Sequence, residues 1–99
     1  MYFTRRKKVA AKSTSASKPK RRIERVQTGV RIEKRLLKVL KGLAEYHDMT
    51  LGDLLEGIVL HAFEGKAPFN EKNLQKIKDL KSIYELDLNS EDSHKLIET

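Results

Sequence analysis

The chain of 99 residues contains no cysteine, which removes disulfides and thiolate metal sites and agrees with a reducing compartment. No apolar run approaches the roughly 20 residues that a membrane-spanning helix requires, so no membrane partner is expected. Glycine-rich phosphate loops, a nucleophile elbow and a Ser/His/Asp set are all missing, which argues against an enzyme. The three histidines, His47, His61 and His94, match neither a helix-borne zinc pair nor a finger pattern, so no metal and no cofactor is expected. Acidic residues are absent from positions 1–22, which hold nine Lys or Arg. The most informative absence is a second strand.

One strand pattern is present. Val26 to Ile32 alternates, with Val26, Thr28, Val30 and Ile32 on one face and Gln27, Gly29 and Arg31 on the other. The helix that follows is predicted to open near Glu33. Leu36, Leu37, Val39, Leu40, Leu43 and Ala44 recur at helical spacing, with Lys34, Arg35, Lys38 and Lys41 opposite. His47-Asp48-Met49 interrupts the pattern, and Thr50 with Asp53 three residues on reads as the cap of a second helix. Leu51, Leu54, Leu55, Ile58, Val59, Ala62 and Phe63 keep helical spacing almost all round, so that helix is expected to be buried on more than one side. Gly52 and Gly57 are expected to permit close helix approach.

A lone strand leaves backbone donors and acceptors unpaired. The cheapest partner is the same strand of a second copy, joined as an antiparallel two-stranded ribbon across a two-fold axis. So short a chain buries a modest share of its surface, which makes a homodimer the expected state on a second ground.

Strand, helix, tight turn with a hydroxyl cap and apolar helix, together covering Arg25 to Phe63, resemble the ribbon-helix-helix family of DNA-binding dimers. The implied fold is mostly α, with one N-terminal strand pairing across an intertwined homodimer and an extra C-terminal helix. The resemblance places Gln27, Gly29 and Arg31 where the family's outward strand residues lie in the major groove. Gly29 has no side chain to read a base, which leaves that work to Gln27 and Arg31. Thr50 and Leu51 fall at the helix N-terminus that in the family grips a DNA phosphate through backbone amides. Asp48 sits where members often have glycine, and aspartate tolerates the left-handed conformation of such a turn. Arg25, and Lys34 or Arg35 from the first helix, are expected to add phosphate contacts. The implied partner is double-stranded DNA, and the implied role is a transcriptional regulator or repressor in the cytoplasm, associated with the nucleoid.

The net charge of +7 is uneven, since residues 64–99 carry six Lys against eight Asp or Glu. Residues 1–24 are therefore expected to form a disordered basic arm that contacts phosphates. Val9-Ala10-Ala11-Lys12 supplies no apolar region for a secretory signal, whereas an organellar transit peptide shares the arm's acid-free composition. Residues 25–65 are the expected DNA-binding and dimerisation domain, and residues 66–99 a helical extension. Glu64-Gly65-Lys66-Ala67-Pro68 is expected to end the second helix.

Asn70 or Asn73 is expected to cap a third helix carrying Leu74, Ile77, Leu80 or Lys81, and Tyr84. The end of the chain is expected either to form a short fourth helix from Ser90 through Leu96 and Ile97 or to fray. The third helix either packs on its own dimer or binds another protein. Many proteins that this chain resembles are antitoxins, and the resemblance implies a second function for residues 70–88, neutralising a toxin. A third reading keeps the fold but binds DNA mainly through charge, as a non-specific architectural or plasmid-associated dimer. A helix-turn-helix alternative would send Leu51-Gly52-Asp53-Leu54-Leu55 into the major groove, where apolar and acidic residues are of no use.

Overall fold

The computed structural model describes residues 20–99, and residues 1–19 of the expected basic arm lie outside them. The described chain is mostly helical. Three helices of 13 residues each follow in order: α1 (Lys34–Tyr46), α2 (Leu51–Phe63) and α3 (Glu71–Ile83). A single 3-10 turn, Ser90–Asp92, comes after them. No helix among the described residues is long and apolar enough to cross a membrane.

Each helix begins on a side chain that accepts from an otherwise unbonded amide of its first turn. Glu33 accepts from the Leu36 amide at 2.8 Å, Thr50 Oγ1 from the Asp53 amide at 3.1 Å, and Asn70 Oδ1 from the Asn73 amide at 2.8 Å. The hydroxyl and amide caps each contribute about 1 kcal/mol.

Each helix also ends in the same way. Met49 N–H donates to the Ala44 carbonyl at 3.0 Å and Asp48 N–H to that of Glu45 at 3.1 Å. Lys66 and Gly65 repeat the pair on His61 and Ala62, and Leu86 and Glu85 repeat it on Lys81 and Ser82. These are Schellman closures, which need a left-handed residue just past the helix. That residue is Asp48 (φ 55°), Gly65 (φ 70°) and Glu85 (φ 56°) in turn. Glycine adopts the conformation freely. Aspartate tolerates it, and glutamate adopts it at a cost of about 1–2 kcal/mol.

The core is small and centres on Leu43, which is 1% exposed, with Ala44 and Leu54. Leu40, Ile58, Phe69, Ile77 and Leu80 close around these three. Burying Leu43 stabilises the fold by roughly 1.5–3 kcal/mol. Contacts 38 to 84, 42 to 80 and 46 to 76 fix α1 antiparallel to α3. Lys38 Nζ lies 5.7 Å from the Tyr84 ring centre and Lys76 Nζ lies 4.7 Å from that of Tyr46. Between these two cation–π contacts, a Cβ built on Gly42 would stand 2.9 Å from Leu80 Cδ2. Only glycine fits there without displacing Leu80.

Several expectations need correcting. Within one chain close approach occurs at Gly42 and not at Gly52 or Gly57, around which a Cβ would find open space or only the Thr50 hydroxyl at 3.9 Å. Within one chain α2 is not buried all round: only Leu54 is fully covered, and Val59, Leu60 and Phe63 are exposed. Its apolar pattern exceeds what one copy can bury. The cap near the C-terminus is Asn89 and not Ser90, because Asn89 and Asp92 exchange side-chain and backbone bonds in a capping box. The turn they close spans only Ser90–Asp92 and does not reach Leu96 or Ile97.

Candidate nucleic-acid interface

The segment from Lys20 to Glu33 carries no helix, turn or bridge. The residues expected to form a strand, 26–32, therefore have no ladder with any described residue. All of residues 20–31 are exposed, Val26 and Val30 to 79% and 72%, and only Ile32 and Glu33 are half-buried. Val26 and Val30 are β-branched residues left in water. They belong to the face for which the alternation predicts a core.

The start of this segment is pinned to α2. Arg25 grips Glu56 with two bonds, Nε to Oε2 at 2.9 Å and Nη2 to Oε1 at 2.8 Å, and reaches Asp53 at 3.3 Å. The bond to Glu56, ahead of simple charge attraction, raises the arginine above its ordinary range and draws the Glu56 carboxyl below its own. Ile23 lies with Leu55, Val59 and Leu60 around an open apolar depression on the same helix. Arg25 therefore holds carboxylates of its own chain at the position where phosphate contact is expected.

Gln27 is exposed and forms no side-chain hydrogen bond among the described residues. Gly29 has open space around it. Arg31 is paired with Glu98, 67 positions later in the chain, and both side chains stay largely in solvent.

Lys34, in the first turn of α1, is exposed with no partner among the described residues. Arg35, one step on, is occupied. Its Nε lies 3.2 Å from Glu33, and its Nη1 donates to the Glu85 carbonyl at 2.8 Å and lies 3.2 Å from Asp87. The Glu33 bond, helped by attraction to Asp87, raises the guanidinium above its ordinary range. The Leu36 amide, ahead of Arg35, pulls the Glu33 carboxyl down. Arg35 thus clasps the start of α1 to the chain leaving α3.

Thr50 is exposed at the N-terminus of α2 and Leu51 is half-buried beside it. The Asp53 amide is taken by Thr50 Oγ1, and the Leu54 amide by the Thr50 carbonyl at 3.1 Å. The Leu51 and Gly52 amides have no acceptor among the described residues, as the first turn of a helix dictates. They point their partial positive charge outward, and the Asp53 carboxylate beside them is offset by Arg25.

α3 turns Ile77 and Leu80 onto the core beneath α1, and leaves Leu74 and Ile83 exposed. No group of three His, Asp or Glu among the described residues is arranged to hold a metal ion. His61 instead bonds the Gly57 carbonyl of its own helix at 2.7 Å.

The structure thus draws the three arginines to different places, Arg25 to the first two turns of α2, Arg31 to Glu98 and Arg35 to Glu33 and Asp87. Among the described residues no hydrogen bond or ion pair joins Gln27 or Arg31 to Lys34, Arg35 or Thr50. Sequence reading missed that the arginines are held by carboxylates, Arg25 by Asp53 and Glu56, Arg35 by Glu33 and Asp87, and Arg31 by Glu98. The acidic surplus of residues 64–99 is the only sign of Asp87 and Glu98, and it gives no position. No protein-family model, no curated protein and no solved structure matches this chain.

Proposed function

We propose that this chain is a homodimeric ribbon-helix-helix DNA-binding protein, a transcriptional regulator whose paired strands enter the major groove. One observation carries the reading. A ladderless segment with polar side chains on one face runs directly into two capped helices, and the second helix leaves an apolar face uncovered. A second copy supplies what both features need, strand hydrogen bonds and cover for Val59, Leu60 and Phe63.

In that dimer Gln27 and Arg31 would be the base readers, glutamine suited to adenine and arginine to a bidentate pair on guanine. Lys34 is the phosphate contact most ready to act, because it has no partner to give up among the described residues. Thr50 with the Leu51 and Gly52 amides would fix the register on the backbone. Arg25 and Arg35 would first have to exchange carboxylates for phosphates.

The test is selection of bound duplexes from a random pool, followed by Arg31→Ala. The expected loss is about 1–3 kcal/mol with relaxed preference at one position of the site. Unchanged affinity for the selected duplex would remove Arg31 as a reader. A second reading, binding by charge alone, is favoured by the bare backbone at Gly29. It predicts equal affinity for random and selected duplexes at one salt concentration.

A further inference from the structure

The C-terminal stretch after α3 is acidic and runs back to the face assigned above to DNA. Residues 85–99 carry five carboxylates, Glu85, Asp87, Glu91, Asp92 and Glu98, against a single lysine, Lys95. Their path is set in three places. At the root, Leu86 is buried, while the Glu85 carbonyl and Asp87 are held by Arg35 at 2.8 Å and 3.2 Å. In the middle, the Asn89–Asp92 capping box redirects the chain. At the tip, Glu98 pairs with Arg31.

From this geometry we infer that residues 85–99 are an acidic strap that competes with DNA for Arg31, so that the free protein is partly self-inhibited. The inference rests on the DNA-binding reading and concerns the regulation of that same site. A carboxylate on a guanidinium occupies the two-donor edge that a guanine or a phosphate would take. Arg31 therefore has to release Glu98 before it can donate elsewhere.

The strap is built to leave. Leu96 and Ile97 are exposed, and Leu88, His94 and Leu96 sit over an open apolar cleft of about 470 Å³ shared with α1. Beyond the turn, the Ser93 amide on the Ser90 carbonyl at 3.2 Å and the Lys95 amide on the Asp92 carbonyl at 3.0 Å are bonds within the strap, and the Arg31–Glu98 pair is its hydrogen-bonded tie to the other described residues. The root is firmer, which keeps the tip close to Arg31 after release and makes recapture intramolecular. With 84% of the Arg31 and 64% of the Glu98 side chain in solvent, the pair is screened and weak. The competition is thus a modest tax on affinity, largest at low salt.

The experiment measures affinity of the full chain for the tightest duplex recovered from a random pool, by fluorescence anisotropy at low and at physiological salt. Glu98→Gln is expected to tighten binding about two- to fivefold at low salt, and less as salt rises. Placed in an Arg31→Gln background, Glu98→Gln is expected to change nothing, because the competed group is gone. Equal tightening in both backgrounds would mean that removal of a negative charge acts at large, and would overturn the strap. Unchanged affinity with Arg31 intact would overturn it too, while leaving DNA binding standing. Failure to recover any duplex would remove the DNA-binding reading and the strap with it.

Discussion

Leu60 distinguishes a chain that lives alone from one that pairs. Its side chain is 62% exposed, on the face of α2 that also bears Val59 and Phe63. In an isolated chain Leu60→Lys exchanges one good helix former for another at a solvated position, and is expected to move stability by less than about 0.5 kcal/mol. In a two-fold dimer that buries this face, the same change acts twice. Losing the burial of two leucines costs about 3–6 kcal/mol, at roughly 1.5–3 kcal/mol each. That raises the dimer dissociation constant about 10²- to 10⁴-fold, and desolvation of two ammonium groups adds to it.

Sedimentation equilibrium across a dilution series is the assay, with urea unfolding followed at two protein concentrations. The expected result is a concentration-dependent midpoint for the native chain that Leu60→Lys lowers sharply. An unchanged mass and an unchanged midpoint for the variant would refute the argument that α2 needs a second copy.

Two further outcomes follow from the packing and the ion pairs. Gly57→Ala, at a helix position where a Cβ meets nothing, is expected to stabilise by about 1 kcal/mol through helix propensity. Gly42→Val forces Leu80 aside and is expected to destabilise by about 1–3 kcal/mol; thermal melts of the two variants measure the contrast. Acid sensitivity should report Glu56, whose carboxyl Arg25 holds below its ordinary value near 4.5. A carboxylate lowered in the folded state stabilises above that value and loses its contribution as pH falls through the lowered one. Glu56→Gln should therefore flatten this part of the acid limb, with native and variant converging at the lowest pH; parallel curves throughout would contradict it.

What was legible in the sequence was local. Thr50 with Asp53 marked the start of α2, Gly65 marked its end, and Asp48 marked the left-handed turn, because each acts within a few residues of its own position. Glu33 as a cap and Glu85 as a left-handed closure were not legible, since glutamate is a preferred residue for neither. Gly42 gained its meaning only from Leu80, which no periodicity places opposite it. The full apolar circumference of α2 was read as burial, yet a hydrophobic pattern states a need for cover and not which molecule provides it. Arg25, Arg31 and Arg35 were legible as cations near a proposed interface. Their carboxylates lie up to 67 positions away, and a sequence gives charge without distance.

The self-contained ends of α1, α2 and α3 bear on timing. Every cap and closure is completed by groups within five positions of one another, and contacts that close to one another along the chain form in microseconds to milliseconds. Encounter between two copies is slower and depends on how many are present. Under the proposed pairing, a newly made chain would carry finished helices and a bare greasy flank through the whole wait for its mate, and that interval would be the moment of greatest risk of clumping.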